Sequence, residues 1–201
     1  MRNQMRDMRS DLRKKYRDLR KQLPSDLRPL KEMQICQLLM DFLESLNLDD
    51  LILINQTIAL YQAFDGEVRL DAFAQSASQK GIRLVYPKII KNQALLWCQA
   101  HSWSINRFGV LEPIGPQVDL FEIDLILAPL VAFDQSGHRL GMGGGYYDRT
   151  LSQKTWQGIF MGVAFDLQYV PVLEQEVWDY PLDAIATESS IQWFAKKFQK
   201  S

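Results

Sequence analysis

Apolar side chains recur every three or four positions over the first 23 residues of the chain. Arginine recurs with the same spacing beside them, so the pattern predicts an amphipathic helix with an apolar stripe next to a basic one. The basic stripe consists of Arg2, Arg6, Arg9, Arg13, Arg17 and Arg20. Pro24 ends this helix, and a second helix is predicted to extend to about Leu46.

Shorter apolar segments follow, and they predict strands separated by helices. Strands are expected at 57–64, 82–87, 94–100, 124–133, 158–165 and 182–188, and helices at 68–80 and 146–151. Residues 124–133 are almost continuously apolar, which is typical of a strand buried on both faces. We interpret residues 106–118 as a Pro/Gly-rich connection. This order predicts one α/β domain spanning residues 1–201, a three-layer α/β/α fold with a mostly parallel sheet on which the basic arm 1–23 packs.

The composition and charge exclude several functional classes. The formal net charge is −1, but residues 1–31 carry +7 and the remainder −8, so only the first helix is basic. The two cysteines, Cys36 and Cys98, lie far apart and are expected to be buried free thiols, and two histidines give little support for a transition-metal centre. Apolar runs are too short to span a bilayer. We therefore expect a soluble, monomeric cytoplasmic protein without a nucleic-acid or membrane partner.

The segment RLGMGGGYYD at residues 139–148 is the candidate site. Glycine is costly to immobilise, so three in succession suggest that something approaches the backbone there. Their N–H groups could converge on a phosphate, although neither common phosphate-loop fingerprint is present. From glycine spacing alone, a turn that lets a helix pack closely is an equal alternative. The nearby Arg139, Tyr146, Tyr147 and Asp148 favour a nucleotide site, since they offer a cation, aromatic surfaces and a carboxylate.

LAPLVAFDQSGHRLGMGGGYYDRTL at residues 127–151 resembles the signature of the 5-formyltetrahydrofolate cyclo-ligase family. Weaker matches are RSDLRKKY, YQAFDGEV, YPK, FGVLEP and WDYPLDAIATE. The resemblance implies a fold like that of the ribose-5-phosphate isomerase and CoA-transferase group. It also implies an enzyme that uses ATP and Mg²⁺ to convert 5-formyltetrahydrofolate to 5,10-methenyltetrahydrofolate, through phosphorylation of the formyl oxygen and ring closure by nitrogen-10.

The resemblance also implies site residues, which we carry over by position. ATP would be bound by Arg9, Arg13, Arg139 and the backbone of Leu140, Gly141, Met142, Gly143, Gly144, Gly145, Tyr146 and Tyr147. The folate would contact Gln62, Glu67, Phe108, Met142, Gly143, Gly144, Gly145 and Tyr146. Mg²⁺ would be held by Asp148 and Asp179, and Arg139 and Tyr146 would take part in catalysis. The remaining arginines of the basic stripe are expected to form a solvated face.

The chain also departs from the family. Family members often have lysine at the position of Arg9, and some have a basic side chain at Met142 or Gly144. Phosphate charge would therefore rest mainly on Arg9, Arg13, Arg139 and the metal. Two other classes of function compete with the enzyme: a non-catalytic module that binds nucleotide or folate, and a nucleic-acid-binding protein suggested by the basic first helix.

Overall fold

The computed structural model of the protein describes residues 2–48, 57–106, 109–152 and 156–195. The helices within these ranges are α1 (Arg2–Lys21), α2 (Leu27–Leu48), α3 (Asp71–Gln79) and α4 (Tyr146–Leu151). The strands are β1 (Thr57–Ala59), β2 (Arg83–Lys88), β3 (Leu96–Cys98), β4 (Ser102–Ile105), β5 (Leu111–Ile114), β6 (Gln117–Val118), β7 (Leu125–Pro129), β8 (Ala132–Phe133), β9 (Arg139–Leu140), β10 (Ile159–Val163), β11 (Ala184–Ala186) and β12 (Ile191–Trp193). Short 3-10 helices occupy Leu120–Glu122 and Asp166–Gln168.

Eight of these strands form the central sheet, in the order β12-β11-β10-β7-β1-β2-β3-β6. Neighbouring strands from β11 through β2 run parallel, whereas β12, β3 and β6 join the two edges antiparallel. The pairs β4/β5 and β8/β9 are separate antiparallel hairpins. The mostly parallel sheet predicted from the sequence is confirmed.

Both faces of the sheet are buried because side chains alternate between them along each strand. Leu125 and Met161 belong to the core cluster that includes residues of α2 and α3. Ile126 and Phe160, their neighbours along the chain, belong to the opposite cluster, which includes Leu151 of α4. The sheet therefore lies between two covering layers, as predicted, and α4 is the α-helix of the second layer among the described residues.

Several predicted strands are shorter in the structure or divided. The strand expected at 57–64 ends at Ala59, and the one expected at 124–133 leaves the sheet after Pro129 and continues into the β8/β9 hairpin. Buried side chains bind the carbonyl groups where the chain leaves the sheet: Gln168 donates to Leu130 and Val131 at 2.8 and 3.0 Å. The interpretation of 106–118 as a connection was wrong, because β5 and β6 lie within it.

Arg20 corrects the prediction of a solvated face on α1. Its side chain is completely buried, and its guanidinium donates to the carbonyl oxygens of Asp65 and Leu130 at 2.9 and 3.0 Å. Arg17 is partly exposed and pairs with Asp65 at 2.6 Å. The side chains of Arg2 and Arg6 lie outside the described part of the structure.

Two simpler predictions concern the thiols and the membrane. Cys36 and Cys98 are both free and buried, as expected. Among the helices in the described ranges, none is long and apolar enough to cross a bilayer.

Candidate active site

A cavity of about 500 Å³ opens at the carboxyl ends of β1, β2 and β7. The chain continues from β1 to β2 in one direction along the sheet and from β7 to β10 in the other, so the strand order reverses between β1 and β7. In open α/β sheets, ligands bind beyond the strand ends at such a reversal. Tyr61 and Gln62 beyond β1, Pro129 at the end of β7 and the loop before α4 all line the cavity.

Most of the predicted site residues meet in this cavity although they come from distant parts of the chain. Those that line it are Arg9, Arg13, Gln62, Glu67, Arg139, Gly141, Met142, Gly143, Gly144, Gly145, Tyr146, Tyr147, Asp148 and Asp179. Leu140 does not line it, because its side chain is buried in a cluster with Tyr16 and Val131. Phe108 lies outside the described residues.

The glycine loop (residues 141–145) provides a set of backbone donors. Every residue of the loop lines the cavity, and its N–H groups donate no hydrogen bond to any described residue. Gly143 has a φ of 95°, in the left-handed region that favours glycine. A side chain at Gly144 would place its Cβ 2.7 Å from the ring of Tyr146. The loop thus needs glycine for its shape and presents N–H groups of the kind that bind anions.

Two arginines of α1, Arg9 and Arg13, line the same cavity as this loop, although they lie far from it in the sequence. The Nε of Arg13 donates to the carbonyl of Gly141 at 2.9 Å, and Arg9 lies close enough for its charge to affect Arg13. Burial lowers the pKa of Arg13 first, and the charge of Arg9 lowers it further. This side of the cavity thus favours a multiply charged anion. It holds two positive charges close together, beside loop N–H groups that donate no hydrogen bond to the described residues.

Arg139 and Asp148 form a nearly buried pair in the same wall. Arg139 donates to Oδ1 of Asp148 at 2.6 Å and to the carbonyl of Tyr180, and its guanidinium lies 4.8 Å from the centre of the Phe160 ring. Only 6% of the Arg139 side chain is exposed. Arg139 is therefore held rigidly, with much of its hydrogen-bonding capacity already used.

Asp179 is held in a similar way by Arg9. Its Oδ2 accepts from Arg9 at 2.8 Å and from the N–H of Glu176 at 3.0 Å. The two predicted metal ligands lie close together, because Oδ1 of Asp148 accepts from the N–H of Tyr180, the residue after Asp179, at 3.1 Å. The described residues contain no group of three or more His, Cys, Asp or Glu that could hold a metal by themselves. Two carboxylates fit Mg²⁺ that keeps waters and phosphate oxygens as its other ligands.

Glu67 lies on the side of the cavity predicted for the folate. Its side chain is 9% exposed, its Oε2 accepts from the N–H of Phe64 at 3.0 Å, and its Oε1 lies 3.7 Å from the guanidinium of Arg20. Burial raises the pKa of Glu67 to about 7, against the opposing effects of Arg20 and the Phe64 N–H. Burial likewise raises the pKa of Tyr61 and Tyr147 nearby, so both phenols stay neutral.

A cluster of charges fixes α1 against the loop that carries Glu67. Asp65 accepts from Arg17 at 2.6 Å and also pairs with Arg20 and Lys21. Burial acts to raise the pKa of Asp65, but the hydrogen bonds and charges of Arg17 and Lys21 outweigh it and hold this pKa at about 2. Because Arg9 and Arg13 lie on the same helix, this anchor also positions them at the cavity.

The structure adds cavity residues that were not predicted. Tyr86, Ile89, Asn106, Glu112 and Trp178 all line it. Glu112 and Trp178 stand inside two of the segments that carry the family resemblance, FGVLEP and WDYPLDAIATE, so position in these segments could have identified them. Tyr86 likewise stands inside the matching segment YPK. Ile89 had no such signal, since an apolar residue that lines a cavity has the same sequence pattern as one in the core.

Comparison with known proteins places this cavity in context. Residues 6–188 match the sequence profile of the 5-formyltetrahydrofolate cyclo-ligase family. A 5-formyltetrahydrofolate cyclo-ligase of Escherichia coli strain K12 is 36% identical over 154 residues, covering 71% of this chain and 84% of that protein. The enzyme of that name from Haemophilus influenzae is 39% identical over 138 residues, covering 63% and 73%.

Solved structures give the same result. The 5,10-methenyltetrahydrofolate synthetase of Mycoplasma pneumoniae superposes with a TM-score of 0.74 at 30% identity, covering 90% of this chain and 98% of that one. The synthetase of Aquifex aeolicus gives a TM-score of 0.76 at 30% identity and covers 96% of both chains. These comparisons confirm the resemblance that the sequence motifs indicated.

Proposed function

The chain belongs to the 5-formyltetrahydrofolate cyclo-ligase family, and we propose that it catalyses the conversion of 5-formyltetrahydrofolate and ATP to 5,10-methenyltetrahydrofolate, ADP and phosphate. One observation in particular supports this proposal. A single cavity has two different sides. One side contains Arg9, Arg13 and the glycine loop, whose N–H groups donate no hydrogen bond to the described residues, and the other contains the buried carboxylate of Glu67. A phosphate donor and a nitrogen-rich acceptor could therefore be bound in contact with each other.

The nucleotide is proposed to lie with its phosphates on the glycine loop. The N–H groups of residues 141–145 would donate to phosphate oxygens, and Arg9 and Arg13 would neutralise their charge. Arg13 also holds the loop itself through the carbonyl of Gly141, so it would shape the site as well as bind in it. Arg139 is largely occupied by Asp148 and Tyr180, and we propose that it supports the phosphate site chiefly by fixing that carboxylate.

Mg²⁺ would be held through Asp148 and Asp179. Each carboxylate has one oxygen engaged by an arginine and a backbone N–H, which leaves its other oxygen for the metal. When bound there, Mg²⁺ would supply charge neutralisation at the phosphate oxygens.

The folate is proposed to bind at the opposite side with its pterin against Glu67. A carboxylate matches the paired N–H donors of a guanidine-like edge, and Gln62 lines the same cavity. The glycine loop and Tyr146 border both halves of the cavity, so the formyl group would lie next to the terminal phosphate. Phe108 remains a predicted folate contact.

The chemical need for ATP follows from the substrate. A formyl oxygen attached to an amide-like carbon is a poor leaving group. Transfer of the terminal phosphoryl group to that oxygen makes it a good one, and ADP leaves. Nitrogen-10 then forms a bond to the activated carbon and loses its proton, and the carbon–oxygen bond breaks to release phosphate. Because nitrogen-10 belongs to the same molecule, ring closure is intramolecular and avoids much of the entropic barrier. The protein's part is to position both ligands and to exclude water.

A direct assay tests the proposal. Purified protein mixed with Mg·ATP and 5-formyltetrahydrofolate is expected to produce the ultraviolet absorption band of the methenyl product, with ADP in equal amount. Omission of either ATP or Mg²⁺ should abolish the band. A folded protein that binds both ligands without forming product would instead be a non-catalytic binding module.

A further inference from the structure

Glu112 is a buried carboxylate that no step above uses. It lies on β5 of the β4/β5 hairpin, exposes 9% of its surface and lines the cavity together with Asn106 and Ile89. The residue is therefore about nine-tenths buried, yet it forms part of the wall against which a ligand would lie. A carboxylate in such a position is unfavourable unless its oxygens are bound.

Donors in the described part of the chain bind one of its two oxygens. Oε1 accepts from the N–H of Ile89 at 3.0 Å and from Nδ2 of Asn106 at 2.9 Å. Within the described residues, no group donates to Oε2. A role limited to holding Ile89 and Asn106 would require a single neutral acceptor. That role explains neither the second oxygen nor the negative charge of the carboxylate.

We propose that Oε2 of Glu112 binds an N–H group of the substrate, as a second carboxylate contact besides Glu67. This inference rests on the proposed function, which supplies a reduced folate as ligand. Such a folate carries N–H donors on its reduced ring and at nitrogen-10 in addition to those of its guanidine-like edge. Glu67 can reach only one part of the molecule, and Glu112 offers a charged acceptor to another. The pair would make the cavity selective for a ligand with N–H donors at two separate places.

Glu112→Gln separates ligand binding from structure. Glutamine has the same length and keeps Oε1 as acceptor for Ile89 and Asn106, but it loses the charge and presents an N–H donor where Oε2 was. We expect the dissociation constant for 5-formyltetrahydrofolate, measured by calorimetry without ATP, to rise about tenfold or more. The constant for Mg·ATP and the melting temperature should stay close to those of the wild type.

Glu122→Gln is the matched control, because it makes the same substitution at an exposed glutamate that pairs with Arg83 away from the cavity. It should leave both dissociation constants unchanged. The inference would be overturned if the folded Glu112→Gln variant had the same dissociation constant for 5-formyltetrahydrofolate as the wild type. It would also be overturned if the variant lost turnover without losing affinity for the folate. If Glu112→Gln proves less stable, titration well below its melting temperature still measures the constant. If the wild type binds the folate but forms no product, the proposed function is wrong. The dissociation constants for the folate still test the role of Glu112 in that case.

Discussion

Five carboxylates line the cavity, and four of them, Glu67, Glu112, Asp148 and Asp179, differ in their surroundings. Asp148 and Asp179 are bound by Arg139 and Arg9 at 2.6 and 2.8 Å, respectively. Glu67 is more deeply buried and its closest cation, on Arg20, lies at 3.7 Å, so its pKa is raised to about 7. Glu112 accepts from two neutral donors. The paired aspartates suit a metal, whereas the two glutamates suit ligand N–H groups.

The raised pKa of Glu67 predicts a pH-dependent stability. Between the ordinary pKa of 4.5 and the raised one of about 7, the unfolded chain has lost this proton and the folded chain still holds it. Unfolding therefore releases a proton, and the stability of the unliganded protein should fall as pH rises from 5 to 8, by on the order of 3 kcal/mol from this group. Glu67→Gln should remove that contribution, so the stability of the variant relative to the wild type should increase as pH rises.

Urea denaturation at several pH values measures this difference. Glu122→Gln serves as the control, because the pKa of Glu122 is lowered by hydrogen bonds from Asp119 and Arg83 and this residue stays ionised over the same range. A constant difference between Glu67→Gln and the wild type from pH 5 to pH 8 would show that Glu67 is already ionised in the folded protein. The proposed pterin contact also requires the ionised form, so folate binding should tighten over the range in which stability falls.

Helix α1 contacts both sides of the cavity. Near its middle, Arg9 contacts Asp179 and Arg13 contacts the glycine loop. Its C-terminal part is fixed to the Glu67 loop through Arg17, Arg20 and Asp65. The arginine spacing predicted the helix correctly. It could not distinguish buried arginines from solvated ones, because their partners lie 45 residues or more away in the sequence.

We predict that Arg20→Ala destabilises the protein by about 3–5 kcal/mol. The substitution would leave the buried carboxylates of Asp65 and Glu67 without their shared partner and the Leu130 carbonyl without its donor. Arg17→Ala removes another arginine that contacts Asp65, but from a side chain that is 37% exposed, and it should cost about 1 kcal/mol or less. Urea denaturation of both variants compares them. Equal losses would mean that the buried network does not anchor α1.

The sheet shows what local patterns can and cannot predict. Continuous apolar segments identified β7 and β10 because both faces of these strands are buried, a condition that the sequence itself records. The point where β7 ends did not follow from the pattern. Residues 130–133 are still buried and apolar, but they pack beside the sheet, and only distant donors such as Gln168 make that exit possible. The β4/β5 hairpin was not predicted, because β4 alternates polar and apolar residues over only four positions, all of them exposed, and the buried positions of β5 are Glu112 and Pro113.

At the scale of the whole molecule, the sheet brings together segments that the sequence separates. The family motifs predicted most of the cavity wall, but their joint position follows from the reversal of strand order between β1 and β7. Arg9 and Asp179 are 170 residues apart and share a hydrogen bond of 2.8 Å. Motif matching could name both residues, whereas their pairing depends on the folded chain.

The division of the cavity into two sides predicts that each ligand can be lost separately. Replacing both Arg9 and Arg13 by alanine should weaken Mg·ATP binding by at least about tenfold for each arginine and leave 5-formyltetrahydrofolate binding almost unchanged. Glu67→Gln should have the opposite effect, since its carboxylate faces the folate side. Replacing Lys14 and Lys15 by alanine removes the same charge from exposed positions of α1 outside the cavity and should change neither affinity. Calorimetric titration of the three variants with each ligand alone gives six comparisons with the wild type. A parallel loss of both ligands in the Arg9 and Arg13 variant would show that α1 shapes the whole cavity, because a helix that served only the phosphate side could not affect the folate.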